Sequence, residues 1–397
     1  MKPLVISRFS SINSLGAGSQ ATLDALRSRR SGLRPCAFET VTLDTHIGQI
    51  DDLDKVSIRS DLGAFDCRNN RLAQWALEAD GFAEAVAAAR AKYGAGRIGV
   101  FMGTSTSGIL TTEVAYRERD PATGALPSGF PYAETQNTYS LGYFVQRYLD
   151  LNGPAFVVSS ACSSTAKVFG NAVRMMEAGV CDAAIVGGVD TLCLTTLYGF
   201  NSLGLVSRFP CRPYDVNRDG ISLGEGAGFA LLEKASERTG DSAALLLGVG
   251  ESSDAYHMST PHPEGMGARL AMERALLAAG LQWSDIDYIN LHGTATKTND
   301  ASEDKAVFDL FGKNVPCSST KGWTGHLLGA AGITEAIISI LAIRNDFIPG
   351  SLHTDKLDPA LTCDYQIANR SMGVNRVLSN SFGFGGSNCA LVLGRAD

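Results

Sequence analysis

Short apolar runs and stretches with apolar residues at helical spacing take turns along this chain. The runs at 4–7, 97–102, 155–158, 183–189, 229–232 and 245–249 are apolar and often β-branched, as buried strands are. The rhythm returns at 286–291, 315–318, 377–381 and 389–393. Between the runs lie predicted helices: one from Gln20 onward, two alanine-rich ones within 66–92, then 137–149, 267–279, 299–310 and 333–343. Ala166, Phe169, Val173 and Met176 mark another after the run at 155–158. The glycine-rich stretch 321–332 reads as a turn, and 121–131 as a loop. Strands alternating with helices predict an α/β architecture with buried sheets. Two halves, 1–240 and 241–397, each place reactive side chains at strand ends, where open α/β sheets bind ligands.

With 397 residues the chain exceeds one simple core. A net charge of −7 argues against nucleic acid as a partner. The opening residues lack the apolar region of a signal peptide, and no uninterrupted apolar run predicts a membrane span. Nine scattered cysteines without a C-x-x-C pair point away from a disulfide framework or a zinc site and toward a reducing cytoplasm. Gly16-Ala17-Gly18-Ser19-Gln20-Ala21 fits a dinucleotide fingerprint only weakly and reads better as a helix-capping turn. Gly103-Thr104-Ser105-Thr106-Ser107 narrowly misses the nucleophile elbow G-x-S-x-G and reads as a strand-end loop lining a pocket.

The chemistry centres on Phe156-Val157-Val158-Ser159-Ser160-Ala161-Cys162-Ser163-Ser164-Thr165-Ala166. It reads as strand, tight turn and helix start, with Ser163, Ser164 and Thr165 suited to capping. Cys162 then sits at a helix mouth, where free N–H groups and the dipole are expected to lower a thiol pKa from ~8.5. A buried, inert thiol is the alternative reading of a lone cysteine. Two of six histidines, His292 and His326, also sit in glycine-rich turns, so a site shared with Cys162 gains weight.

Five blocks carry a family resemblance. They are Ser160-Ala161-Cys162-Ser163-Ser164, Arg212-Pro213-Tyr214-Asp215 with Arg218-Asp219-Gly220 and Gly224-Glu225-Gly226, then 292–296, 321–332 and 380–388. In them the sequence resembles the β-ketoacyl-acyl-carrier-protein synthases of the type I/II elongating class, on the thiolase fold. The resemblance implies a five-layered α-β-α-β-α arrangement of two similar halves. It implies Cys162 as acyl-accepting nucleophile with His292 and His326 as its pair, and Lys321 and Glu303 in support. It implies Thr294 and Thr296 on the carrier's pantetheine arm, Phe384 as a gate completing an oxyanion hole with the Cys162 N–H, and Thr106 and Phe382 beside the substrate. No cofactor is implied beyond the phosphopantetheine arm that arrives on the carrier protein. Malonyl and acyl thioesters are the implied substrates. The subunit is implied to form a homodimer or a heterodimer with a related chain.

That set suits its chemistry. A thiolate holds and releases an acyl group, and loss of CO2 from a malonyl thioester leaves an enolate that two imidazole N–H groups would stabilise. A nearby Lys321 would help to keep those rings neutral. Thr106 and Ser107 occupy a pocket loop that is often glycine and isoleucine in the family, so a polar pocket floor suited to an unusual or polyunsaturated acyl group is expected. Two other readings remain. One is a thiolase-type enzyme using Cys389 as a base, and the other a non-catalytic chain-length partner, which would lack the nucleophile. An acidic acyl carrier protein is the expected partner, with Arg27, Arg29, Arg30, Arg68, Arg71, Arg117 and Arg119 as candidate contacts.

Overall fold

A computed structural model describes residues 1–235 and 244–396. The expected boundary at 240/241 lies outside them. The first half contains β1 (Leu4–Asn13), α1 (Ser19–Ser28), α2 (Arg68–Glu78), α3 (Phe82–Tyr93), β2 (Ile98–Gly103) and α4 (Ile109–Arg117). It continues with α5 (Tyr139–Tyr148), β3 (Ala155–Val158), α6 (Ser164–Glu177), β4 (Ala183–Asp190), α7 (Leu194–Ser202) and β5 (Gly226–Lys234). The second contains β6 (Ala244–Ser253), α8 (Met266–Ala279), β7 (Tyr288–Asn290), α9 (Lys297–Phe311), β8 (Pro316–Ser318) and α10 (Lys321–Thr324). Helix α11 (Ala331–Asn345), β9 (Asp364–Tyr365), β10 (Arg376–Gly383) and β11 (Ser387–Arg395) complete it.

The strand order is β3-β2-β4-β5-β1 in one half and β6-β11-β10-β7-β8-β9 in the other. Both follow one plan. In the first, β3, β2 and β4 run parallel, while β5 and β1 pair antiparallel. In the second, β8, β7 and β10 run parallel, while β11 and β6 pair antiparallel. A short antiparallel pairing of Leu4–Ile6 with Ala244–Leu246 joins the two sheets.

Three apolar cores separate the layers. Helices α2, α3 and α5 pack on the outer face of the first sheet. Helix α8, with α9 beside it, packs on the outer face of the second. Between the sheets lie α6 and α11, buried with Phe169, Val173, Ile333, Ile337 and Ile340 among their core residues. The result is the expected five-layered α-β-α-β-α architecture. Helix α11 is apolar on every side because a sheet or helix covers each side. The stretch Leu328–Asn345 is long and apolar enough to cross a membrane, yet 89% of it is buried inside the fold, so it is a core helix. Where α6 crosses α11, a Cβ on Gly332 would stand 2.7 Å from the Ala166 nitrogen. Only glycine permits that approach.

Several elements depart from the sequence reading. Strand β1 runs to Asn13, past polar Ser7, Arg8, Ser10 and Ser11, because β5 pairs with it throughout. Stretch 321–332 is α10, a 3₁₀ turn at Leu328–Ala330 and the start of α11. Helix α7 has few strong helix formers. Its first N–H groups, those of Leu194 and Thr195, are capped by the Glu113 carboxylate of α4, a partner distant in sequence.

Arg68 corrects one expectation. It is buried on α2, where its guanidinium pairs with Glu225 and with Asp54, so it is no surface contact for a carrier. Glu225 also accepts the N–H groups of Ile50 and Leu192. Arg68→Ala would leave that carboxylate buried without its counter-ion, and a loss of about 3–5 kcal/mol is expected. Urea unfolding measures it; a loss below about 1 kcal/mol, as for an exposed pair, would contradict this account.

Candidate active site

Chain reversals at the carboxyl ends of β3, β7, β8 and β10 converge on one pocket that is partly open to solvent. Cys162 follows β3. Ala161 before it takes φ 51°, a left-handed conformation that costs energy in a residue with a Cβ and turns the sulfur into the cavity. Ser163 is the N-cap of α6, but its hydroxyl makes no cap bond and donates to the Ser160 carbonyl instead.

His326 Nε2 lies 3.0 Å from Cys162 Sγ. The His292 and His326 rings stand edge to face, 5.4 Å between centroids. The sulfur and one ring nitrogen from each histidine all lie within 4.8 Å of one another. Each inner nitrogen faces a donor. His326 Nδ1 accepts the Leu328 N–H at 3.3 Å, and His292 Nδ1 lies 3.3 Å from the Lys321 ammonium. Both neutral rings therefore carry their proton on Nε2. His326 Nε2–H points at the sulfur.

Burial holds both imidazoles well below the usual histidine range, and the Lys321 charge adds to it. Lys321 itself donates to the His292 carbonyl and pairs with the buried Glu335 carboxylate. Burial pushes Glu335 up to about 7 against the pull of Lys321. Glu303 accepts the N–H groups of His292 (2.8 Å) and Gly293 (2.7 Å) and the Asn380 amide (3.1 Å), which fixes the His292 turn. Burial pushes Glu303 up to about 7 as well.

The thiol departs from expectation. Burial pushes Cys162 up to about 11, with the Lys321 ammonium and the Phe384 N–H pulling the other way. Desolvation of the anion outweighs the favourable partners, so burial favours a neutral thiol beside the neutral rings. The site's N–H donors await charge that forms during reaction.

Thr294, Thr296, Phe382 and Phe384 line the cavity, with the two threonine hydroxyls 2.9 Å apart. The Phe384 ring packs on Phe200 of α7 at 5.5 Å, and the Phe382 ring lies 6.0 Å from His292. Gly385 and Gly386 take φ of 78° and 69°, which glycine adopts without strain, and so form the turn that carries Phe384.

Thr106 is not part of the lining. It is buried, and its hydroxyl and N–H both donate to Asp190. The Ser107 hydroxyl is bound to the Thr135 carbonyl. Both polar groups are used within the protein, so neither residue supplies the polar pocket floor expected of it. The arginines also have partners at home: Arg27 on Asn345, Arg29 on the Ile367 carbonyl, Arg30 on the Leu15 carbonyl, Arg71 on Asp66 and Arg117 on Glu39. Arg119 is exposed.

Sequence reasoning gives Glu335 and Asp190 no part in the site, and it includes Asn380 only as the first residue of the 380–388 block. Glu335 could have been found as the only acidic residue of α11, and Asp190 as the acidic end of an otherwise uncharged buried strand.

A Cys-His-His set also invites a metal ion. Metal-bound imidazoles turn their other N–H toward an acceptor. Here both Nδ1 atoms face donors, a backbone N–H and an ammonium, so the set does not suit one.

A doubled α/β fold, with a thiol from one half and two donor-facing imidazoles from the other, defines a condensing enzyme of thiolase fold. The family descriptions beta-ketoacyl synthase, N-terminal domain and C-terminal domain match residues 12–238 and 243–355. The 3-oxoacyl-[acyl-carrier-protein] synthase 2 of Staphylococcus aureus is 35% identical over 320 residues, 75% of this chain and 77% of that protein. Its Vibrio cholerae counterpart is 34% identical over 76% of each chain. Among solved structures, the ketosynthase (ApeO) in complex with its chain length factor (ApeC) from Xenorhabdus doucetiae superposes with a TM-score of 0.88 at 37% identity. That match covers 100% of this chain and 98% of the other. The chain belongs to the β-ketoacyl synthase family.

The neutral rings have a pH signature. Unfolded histidines titrate near 6.5, the folded pair well below it. Stability from this source is present above pH 6.5 and falls as the unfolded chain takes up protons below it. Urea unfolding between about pH 7.5 and 5.5 should show wild type losing stability relative to a His292→Ala/His326→Ala protein. Both proteins keep Glu303 and Glu335, whose raised values act in the opposite sense. Parallel curves would mean that the rings are not held neutral.

Proposed function

We propose that this chain is a β-ketoacyl-acyl-carrier-protein synthase, which joins a Cys162-bound acyl group to malonyl carrier protein with loss of CO2. One observation carries the reading: the Cys162 sulfur shares a cavity with two neutral imidazoles that keep their protons on Nε2. The Cys162 sulfur attacks the acyl thioester, its proton passes to the carrier sulfur as that C–S bond breaks, the carrier leaves as a thiol, and the acyl group stays on Cys162. The N–H groups of Cys162 and Phe384 hold the oxyanion. The malonyl thioester then binds with its pantetheine arm along Thr294 and Thr296. Its C–CO2 bond breaks, and the electron pair becomes an enolate whose oxygen receives the His292 and His326 Nε2–H groups. The enolate carbon attacks the acyl carbonyl, a carbon–carbon bond forms, the C–S bond breaks with its electron pair on sulfur, and the Cys162 thiolate takes up a proton from water to become the thiol again.

Lys321 and Glu303 act through the rings, one by charge and one by fixing a turn. No cofactor is needed beyond the pantetheine arm. A reducing cytoplasm suits nine free thiols. The thiolase-type alternative lacks its second cysteine: Cys389 is fully buried within β11, and burial holds its thiol high. Cys162 argues against a merely non-catalytic role.

The outermost strand, β3, is half-buried and apolar, with the exposed Tyr139 and Tyr143 of α5 nearby. An apolar edge without a further strand partner among the described residues suits strand addition by a second subunit, either another copy or a related chain. Light scattering of the chain alone and with a co-expressed related subunit should show a dimer in one case; a monomer in both would refute this.

Incubation with malonyl carrier and acyl carriers, read by mass, should show a chain two carbons longer and one CO2 per turnover. Cys162→Ala should abolish it. His292→Ala should slow CO2 release ~10²–10³-fold while acyl transfer to Cys162 persists. Acyl transfer without any malonyl-dependent CO2 would sink the reading.

A further inference from the structure

Asp190 closes strand β4 with no exposure to solvent. Four donors converge on its Oδ1: Thr104 Oγ1 at 2.7 Å, the Ser105 and Thr106 N–H groups at 2.7 and 2.9 Å, and Thr106 Oγ1 at 2.9 Å. Its Oδ2 accepts one bond, from the Gly329 N–H at 2.6 Å. The four donors belong to the loop after β2. Gly329 belongs to the other half, next to Leu328, whose N–H sets the His326 tautomer. Thr165 adds a second tie: its hydroxyl donates to the Gly329 carbonyl at 2.6 Å and accepts the Ile333 N–H at 3.0 Å. The turn carrying His326 is thus held against the strand ends of the Cys162 half.

We propose that Asp190 is a positioning residue for condensation, which sets His326 Nε2–H against Cys162 by holding the Gly329 turn. This rests on the condensing reading above. An amide could not replace the carboxylate. Backbone N–H groups only donate, two on one oxygen and one on the other. Four donors require oxygen at Oδ1, so an amide nitrogen at the other place would face the Gly329 N–H, donor against donor, and push the turn away.

The charge has a second effect. Lys321, Glu335 and Asp190 face Cys162 electrostatically, together with the two neutral rings. Lys321 favours the thiolate; Glu335 and Asp190 oppose it. Removing the Asp190 charge makes the sulfur easier to ionise while it misplaces His326. A residue needed only for folding would not produce that combination.

Asp190→Asn in the full chain, with any partner subunit present, tests the proposal by malonyl-carrier kinetics, the pH dependence of Cys162 alkylation by iodoacetamide, and a circular-dichroism melt. The expected result is a kcat lower by about tenfold or more at a KM within about twofold, with the alkylation midpoint moved to lower pH. A folded variant with kcat within about twofold of wild type overturns the proposal, and so does a lost kcat with an unmoved midpoint. Should Asp190→Asn fail to fold, Thr104→Val removes one Oδ1 donor and keeps the charge. A kcat reduced about two- to fivefold at unchanged KM is then expected, and wild-type kcat overturns the proposal. Wild-type protein that releases no CO2 refutes the condensing reading itself; the alkylation midpoint still reads Asp190, and an unmoved one overturns its role.

Discussion

Everything at this site depends on where two protons sit. A neutral imidazole donates from one nitrogen and accepts at the other, and its surroundings decide which. Around His292 and His326 the inner partners are an ammonium and a backbone N–H. Both can only donate, so the ring protons are placed on Nε2. Burial disfavours protonated rings and the same ammonium adds to it, so Lys321 fixes the His292 tautomer and helps to keep both rings neutral. A pair of preset, buried N–H donors needs no reorganisation when an oxygen nearby becomes negative.

Presetting such donors requires turns held firmly from behind, and carboxylates do that here. Glu303 gathers the N–H groups of His292 and Gly293, and Asp190 gathers those of Ser105, Thr106 and Gly329. Each is fully buried and satisfied by backbone donors, so each stiffens a turn that a surface loop would leave mobile. The two-half architecture makes these ties possible. One half supplies the sulfur, the other supplies the rings, and the close crossing of α6 and α11 at Ala166 and Gly332 brings the turns together.

The sulfur shows how competing terms settle. A helix start, an ammonium and a backbone N–H all favour the thiolate, yet burial outweighs them and pushes the thiol up to about 11. What serves the transfer chemistry is a site in which negative charge, once formed on sulfur or oxygen, is met by fixed donors. Glu335 belongs to the same balance: it makes the buried Lys321 tolerable, and Lys321 does the same for it.

The alternation of apolar runs with helical spacing was enough to reveal the α/β class, the strands from β2 to β11 (except the two-residue β9) to within a few residues, and the turns carrying Cys162, His292 and His326. Those features are local: a strand that ends in a glycine-rich turn is visible in its own residues. Other features were not. Helix α7 depends on a carboxylate from α4, and Arg68 looks like a surface arginine until Glu225 is placed beside it. Thr106 looks like a pocket residue until Asp190 takes both its donors. The thiol looked activated because its helix is legible in the sequence and its burial is not. Residue order thus determined which reactive groups exist and which strand ends present them. Tertiary structure alone decided their charge, their tautomer and which neighbours use up their hydrogen bonds, because desolvation and hydrogen-bond partners come from segments far apart in the chain.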